Sequence, residues 1–206
     1  MEICRDATLV IRAPLHTSDE HINKLVARKR AWIIKHQNFF EQQKPFTKQK
    51  EFVNGEEFLF LGDTYKLSIV EHQKKPLYFY RVFLLSRNYL NRARQVFIRW
   101  YKEQARRKIA ERVSLYSSIA GLKYNKIKIT SARKRWGSCS RKNNLNFSWY
   151  LIMAPLIVID YVVAHEIIHL EEKNHSMKFW NKLSVLLSDY KQHRKWLRDN
   201  EHLLTF

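Results

Sequence analysis

The feature that most constrains this chain is a pair of histidines at helical spacing, followed closely by a third histidine. Residues 165–169 read His-Glu-Ile-Ile-His, and His175 comes six residues after His169. Side chains four residues apart lie on one face of an α-helix, so His165 and His169 can direct two imidazoles at one metal ion. Glu166 follows directly, where its carboxylate can reach a metal-bound water without being a ligand. The pattern predicts a zinc hydrolase site with two helical ligands, a general base and an open coordination position.

A site of this kind needs a third protein ligand, and the sequence offers two candidates. Glu172 lies on the same face but is seven residues from His165, nearly two turns along a continuous helix, which is too far for one ion. His175 follows Lys173 and Asn174, a polar pair suited to ending the helix and turning the chain back. We therefore predict that His175 completes the ligand set of one zinc ion per chain.

The residues around the motif favour a metal over the alternative, a cluster of polar side chains that only hydrogen-bond to one another. Ile157 to Ile159 and Tyr161 to Ala164 are apolar enough to form a buried helix. Buried histidines and a buried glutamate need partners, because unpaired polar groups are costly in the interior. A metal ion supplies such a partner.

Cysteine usage and hydropathy indicate the class of protein. Cys4 and Cys139 are the two cysteines and form no CxxC pair, which argues against a disulfide framework and fits a reducing compartment. The beginning of the sequence lacks the layout of a signal peptide. The longest apolar stretch, 151–164, is interrupted by Pro155 and Asp160 and is too short to span a bilayer. We expect a soluble, cytoplasmic protein with no membrane partner, and the sequence does not indicate an oligomeric state.

The positive charge of the chain is concentrated in one segment. The formal net charge is +19, and residues 91–142 contain 16 lysines and arginines against the acidic residues Glu103 and Glu111. A concentrated basic segment can attract phosphate backbones or acidic surfaces, so nucleic acid is a candidate partner. The alternative is a solvated helix face that is basic without a ligand.

The first part of the chain alternates helical and strand patterns. We predict a strand over 8–12, a helix from Asp19 to about Gln43, a hairpin or small sheet over 52–70, and a further strand over 77–85. These elements form an N-terminal α/β portion, residues 1–87.

The second part begins with the longest helical pattern. We predict a helix over 88–119 that ends at Gly121, with apolar side chains on one face and most of its arginines and lysines elsewhere. Strands are predicted over 126–130, 135–139 and 144–149. The remaining predicted elements are the metal helix from Pro155, a helix capped by Ser176, and a last helix over 191–203.

These motifs resemble the YgjP-like metallopeptidase family, minimal zincins related at the active site to the SprT/Spartan and WLM proteases. The resemblance rests on residues 135–139, 161–170 and 174–176, with Phe179 and Trp180. Weaker matches lie upstream at Arg12-Ala13-Pro14, Trp32-Ile33, Gly55-Glu56 and Leu61-Gly62. The resemblance implies zinc bound by the three histidines and Glu166 as the catalytic base.

The resemblance also implies the fold. We predict an α+β protein whose zincin-like metallopeptidase core, residues 88–206, packs the active-site helix on a small mixed sheet, with the α/β portion preceding it.

One further segment is a candidate for substrate binding. In zincins an extended strand beside the active-site helix can pair with the substrate backbone, and Arg135, Trp136, Gly137 and Ser138 are predicted to serve this purpose. A close backbone approach at Gly137 is one reason for a glycine there. The alternative is that Trp136 is a core residue. His193 and Arg135 are candidates for stabilising the oxyanion.

The predicted function is zinc-dependent hydrolysis of peptide bonds by water that Glu166 activates, on protein or peptide substrates that include nucleic-acid-associated proteins. The last point is an analogy, since the SprT and WLM relatives cleave proteins crosslinked to DNA. One alternative is a metal-dependent nucleoside triphosphate pyrophosphatase, a label that some members of the family carry, although no Gly-rich phosphate loop is present. Another is a nucleic-acid-binding module with structural zinc, which would require a closed shell of four protein ligands.

Overall fold

The chain separates into two compact units, residues Met1–Lys48 and Gln49–Phe206. The computed structural model describes residues 1–3, 8–14, 16–42 and 50–206. Cys4 lies outside the described residues. The division predicted after residue 87 stays a prediction, and residues on both sides of it share the buried core of the second unit.

The first unit contains a two-stranded ribbon and two helices. Strands β1 (Glu2–Ile3) and β2 (Leu9–Val10) pair antiparallel. The helix predicted from Asp19 is divided at Lys29 into α1 (Asp19–Arg28) and α2 (Arg30–Gln42). Ser18 caps α1 by accepting a hydrogen bond from the backbone N–H of His21, as its position before two acidic residues indicates.

The second unit begins with a four-stranded mixed sheet. Its members are β3 (Glu57–Phe60), β4 (Asp63–Val70), β5 (Leu77–Phe79) and β6 (Phe83–Ser86), in the order β3-β4-β6-β5. β3 and β4 form the predicted hairpin, and β4 pairs with β6 in parallel. The two-residue hairpin loop, Leu61-Gly62, has positive φ at both positions (52° and 91°), which is the geometry that matches the twist of paired strands.

The prediction of a single strand over 77–85 is wrong in the number of strands. Residues 77–79 and 83–86 form two short antiparallel strands, β5 and β6. The chain reverses at Arg81, whose φ is 52°, and the N–H of Tyr80 bonds to the carbonyl of Val82. No glycine, proline or asparagine marks this turn, so a propensity argument could not find it.

The long helix agrees with its prediction. A 3₁₀ helix over Arg87–Arg92 leads into α3 (Ala93–Ala120), which ends at Gly121 in the left-handed conformation (φ 66°). One face of α3 is fully buried from Phe97 to Val113, and most of the arginines and lysines lie on the other faces.

A three-stranded mixed sheet follows α3. β7 (Lys126–Thr130) runs parallel to β9 (Asn144–Ser148), and β8 (Gly137–Cys139) pairs with β9 antiparallel. The order is β7-β9-β8, so among the described residues β8 is an edge strand. The predicted strands are present, and β8 is shorter than predicted at its beginning.

Three helices complete the second unit. A 3₁₀ helix over Trp149–Met153 precedes α4 (Leu156–Ile168), and α5 (Met177–Leu186) and α6 (Tyr190–Asn200) follow it. α4 is held against α3 by a bidentate ion pair between the Arg112 guanidinium and the buried Asp160 carboxylate, at 2.5 and 2.9 Å. This pair is well hydrogen-bonded, which a buried charge requires.

The elements place α4 in the centre of the unit, in contact with α3, with β8 and with both later helices. The predicted class is confirmed: the protein is α+β, with a zincin-like arrangement of a buried helix beside a small mixed sheet. Among the described helices, none combines the length and apolar character that crossing a bilayer requires.

Candidate metal centre and active site

Three imidazoles converge at the C-terminal end of α4. Nε2 of His165 lies 3.2 Å from Nε2 of His169 and 2.9 Å from Nε2 of His175, and the remaining separation is 3.2 Å. Hydrogen bonds cannot satisfy all three contacts, because each Nε2 offers either one proton or one lone pair. A shared metal ion satisfies all three lone pairs at once.

The geometry of the donors fits zinc. A tetrahedral zinc ion with Zn–N bonds of about 2.0–2.1 Å places its nitrogen ligands about 3.3–3.4 Å apart, close to the separations between the three Nε2 atoms. No fourth histidine, cysteine or carboxylate joins the cluster within the described part of the chain. The donor set therefore matches a three-ligand site with an open position better than a closed structural site.

His169 is oriented by the backbone that follows it. Its Nδ1 lies 2.8 Å from the carbonyl oxygen of Glu172, so Nδ1 donates the proton and Nε2 keeps its lone pair for a metal. The Glu172 side chain points elsewhere, since its carboxylate forms an ion pair with Lys178 at 2.7 Å and lies 3.4 Å from Lys182. Glu172 thus contributes to the cluster through its backbone.

The turn that brings His175 to the cluster has a clear local cause. The Lys173 ammonium donates to the carbonyls of His169 (2.8 Å) and Leu170 (3.1 Å), the two residues that directly follow α4. Ser176 then caps α5 by accepting from the N–H of Phe179. His175 is therefore held between a helix end and a helix start.

Phe179 is the common packing partner of the cluster. Its ring centroid lies 4.9, 4.6 and 4.8 Å from those of His165, His169 and His175, and the side chain is fully buried. Packing of this kind restricts the imidazole rotamers and prepares the site before a metal arrives.

Burial sets the protonation of the cluster. Burial first, and then the charges of the neighbouring imidazoles and Arg194, lowers the pKa of His165 to about 3. Burial also lowers the pKa of His169. Both imidazoles are therefore neutral near pH 7, which is the form that binds metal.

Glu166 is buried against the backbone of the edge strand. Its side chain is 5 % exposed, its pKa is raised to about 8 by burial, and its Oε2 has no hydrogen-bond partner among the described residues. A Cβ added at Gly137 would lie 2.5 Å from Oε1 and 2.6 Å from Cγ of Glu166. Only a glycine leaves room for this carboxylate beside β8.

The four residues predicted to bind substrate are brought together. Arg135, Trp136, Gly137 and Ser138 line one cavity of about 220 Å³ beside β8. Trp136 is half-buried, its carbonyl accepts from the N–H of Ser148, and Arg135 is exposed. Their role in binding stays a prediction.

Sequence reasoning missed a cation at the site. The Arg194 guanidinium stacks on the Trp180 ring at 4.9 Å, and that ring stacks on the imidazole of His175 at 5.6 Å. The charge of Arg194 contributes to the lowered pKa of His165 and moderates the raised pKa of Tyr161, which is raised mainly by burial. His193, one of the predicted oxyanion candidates, instead has its Nε2 2.9 Å from the Asp189 carboxylate. Arg194 could not be found from motif spacing, because α6 follows the motif by more than 20 residues.

Comparison with protein families gives a match over nearly the whole chain. A family model described as "YgjP-like, metallopeptidase domain" matches residues 1–200 of the 206 residues. No curated protein and no solved structure matches the chain.

Proposed function

The chain belongs to the YgjP-like metallopeptidase family, and from this premise we propose that it is a zinc-dependent peptidase. The observation that carries the proposal is the convergence of the Nε2 atoms of His165, His169 and His175 to within 2.9–3.2 Å of one another. These three imidazoles would hold one zinc ion per chain. When bound, zinc supplies a Lewis acid that polarises a carbonyl and lowers the pKa of water.

Glu166 is the proposed general base. Its carboxylate lies one residue from a ligand, is buried, and has an oxygen free of partners among the described residues. Burial raises the pKa of this group, and the charge of a bound zinc ion would favour its ionised form. The carboxylate would then accept a proton from the attacking water and deliver that proton to the leaving amine, so that one group serves both steps. The close approach of the Gly137 backbone limits the positions that the carboxylate can take.

The edge strand β8 is the proposed substrate-binding element. It pairs with β9 on one side, and among the described residues its other edge is unpaired. An extended peptide can add to such an edge through backbone hydrogen bonds, which give affinity with little sequence preference. Because Gly137 on this strand touches Glu166, a peptide paired there would pass close to the general base.

The proposal is tested by measuring metal and substrate together. Purified protein is expected to carry one zinc per chain and to cleave an unfolded protein, and a zinc chelator should abolish cleavage. Nucleoside triphosphates serve as the comparison substrates. Pyrophosphate release without proteolysis would replace the peptidase proposal with the pyrophosphatase alternative. A fourth protein ligand in the metal spectrum would indicate a structural site.

Arg194 is proposed to stabilise negative charge that develops on the substrate carbonyl. We expect Arg194→Ala to lower kcat about 10- to 100-fold with little change in zinc content. Removing one oxyanion donor costs about 100- to 1000-fold in enclosed sites, and the effect should be smaller here because Arg194 is exposed and solvent screens its charge. Steady-state kinetics on a fluorogenic peptide would separate kcat from KM.

Two further variants control the Arg194 experiment. Arg194→Lys should recover part of kcat, because it keeps the charge, whereas Lys195→Ala removes a neighbouring cation that pairs with Asp199 and should have little effect. If Arg194→Ala loses zinc or thermal stability in proportion to activity, Arg194 supports the packing of Trp180 and has no role in the reaction.

A further inference from the structure

A groove in the second unit lies between α3 and residues of the strands β3 and β5, and it has a volume of about 940 Å³. Five cationic residues line it: Lys75, Arg92, Arg99, Arg107 and Lys108. Five aromatic residues line it as well: Phe60, Tyr78, Phe79, Tyr89 and Trp100. Glu103 is the one acidic residue among the described lining residues. The groove thus combines a positive rim with ring faces, and the proposed peptidase mechanism uses neither.

Much of the positive charge in the groove is not neutralised. Among the residues that the structure describes, Arg99 forms no ion pair, and Arg107 donates only to the side chain of Gln104. Lys108 does pair with Glu111, at 2.8 Å. The positive charge continues along α3 into an adjacent depression, whose charged lining residues are Arg99, Lys102, Arg106 and Glu103. Unpaired cations in a concave surface create a field that selects an anionic ligand.

The cations and rings are arranged in pairs. The Arg92 guanidinium lies 4.7 Å from the Tyr89 ring centroid, and the Lys75 ammonium lies 5.9 Å from the Tyr78 ring centroid. Tyr78 is 44 % exposed, so part of its side chain is accessible to a ligand. A cation beside a ring is complementary to a phosphate beside a base, which is the repeating unit of a nucleic acid strand.

The groove is separate from the histidine cluster. Leu61 lines the groove, and its N–H bonds to the carbonyl of Ile152, just before α4. The adjacent Gly62 packs on Pro155 at the start of α4. His165 lies ten residues further, about 15 Å along the helix axis. A ligand in the groove would therefore leave the metal centre accessible.

We propose that this groove binds single-stranded nucleic acid. A duplex hides the faces of its bases and could use the cations but not the rings, whereas unpaired bases can stack on Tyr78 and Tyr89. An acidic polypeptide would satisfy the cations and leave the rings unused. This inference goes beyond the peptidase proposal and does not depend on it.

The test is the affinity of the full-length protein for a fluorescent oligothymidylate of about 20 nucleotides, measured by anisotropy at several salt concentrations. Arg99→Ala/Arg107→Ala should weaken binding about tenfold or more. It should also reduce the slope of log affinity against log salt concentration by about one, which corresponds to about one fewer counterion released. Tyr78→Ala should weaken binding about fivefold or more with the salt dependence unchanged, because it removes stacking and no charge.

The matched control is Lys123→Ala/Lys126→Ala, which removes two exposed cations of the same basic segment outside the groove. It should change the affinity less than threefold. Equal losses in the two double variants would mean that net charge alone attracts the strand and would overturn the proposal. Three other results would also overturn it. The first is equal affinity for a duplex together with no effect of Tyr78→Ala. The second is equally strong binding of polyglutamate or anionic vesicles, and the third is no binding of the oligothymidylate. Each of these outcomes is independent of whether the protein cleaves peptides.

Discussion

Glu166→Gln should reduce peptide hydrolysis by a factor of about 10³ while the protein retains its zinc. Glutamine has nearly the same shape as glutamate and can occupy the buried position beside Gly137, but its amide cannot accept a proton from water. Since the three proposed ligands are unchanged, metal content should stay at one ion per chain. Elemental analysis and initial rates on an unfolded protein substrate, both on the same preparation, measure the two quantities.

The matched control is Glu171→Gln, the same chemical change on a carboxylate that pairs with Lys182 and is about half exposed. It should keep the activity of the wild type. If Glu166→Gln hydrolyses substrate at a near-normal rate with zinc bound, Glu166 is not the general base. If Glu166→Gln instead loses both activity and zinc, Glu166 acts on the metal site directly, and the assignment of three histidine ligands must be revised.

The arrangement of the histidine cluster follows from interactions that are local in sequence. The spacing of His165 and His169 places both imidazoles on one helix face whatever the rest of the fold does. The turn that brings His175 back to the cluster depends on two residues. Lys173 donates to the carbonyls that directly follow α4, and Ser176 caps the start of α5. Short polar motifs of this kind can be recognised in the sequence, because each group finds its partner within a few residues.

The features that the sequence did not indicate depend on contacts between distant segments. β4 pairs in parallel with β6, and the reversal between β5 and β6 occurs at Arg81, where no residue favours a turn. The helix predicted from Asp19 is interrupted at Lys29 although its apolar pattern continues. Local propensity is a weak guide at such positions, because tertiary packing decides them.

The neighbours of the metal centre show the same limit. Arg194 reaches the site because α6 packs on α4, and the order of the chain does not reveal this. Gly137 is an intermediate case: a glycine in a predicted strand indicates a close approach, but the sequence does not say which group approaches. The structure gives the answer, because the approaching group is the Glu166 carboxylate.

This contact leads to the second large expected effect: Gly137→Ala should lower hydrolysis about 100-fold or more without removing zinc. Gly137 does not have a positive φ, so alanine is compatible with the backbone and the added methyl group acts only through space. That methyl group would lie 2.5–2.8 Å from three atoms of Glu166, whose buried side chain must move. Displacing a catalytic group by about 1 Å can cost 100-fold in rate, whereas the overpacking itself should destabilise the fold by about 1–3 kcal/mol.

A double variant separates this effect from general damage. If Gly137→Ala acts by moving the general base, adding it to Glu166→Gln should cause little further loss of activity, because the group it displaces is already inactive. Gly55→Ala is the stability control: Gly55 has a φ of 83° and open space around it, so alanine there strains the backbone and touches nothing. Gly55→Ala should lower the unfolding temperature and keep kcat. Near-normal kcat in Gly137→Ala, or full additivity in the double variant, would show that the contact between β8 and Glu166 does not position the general base.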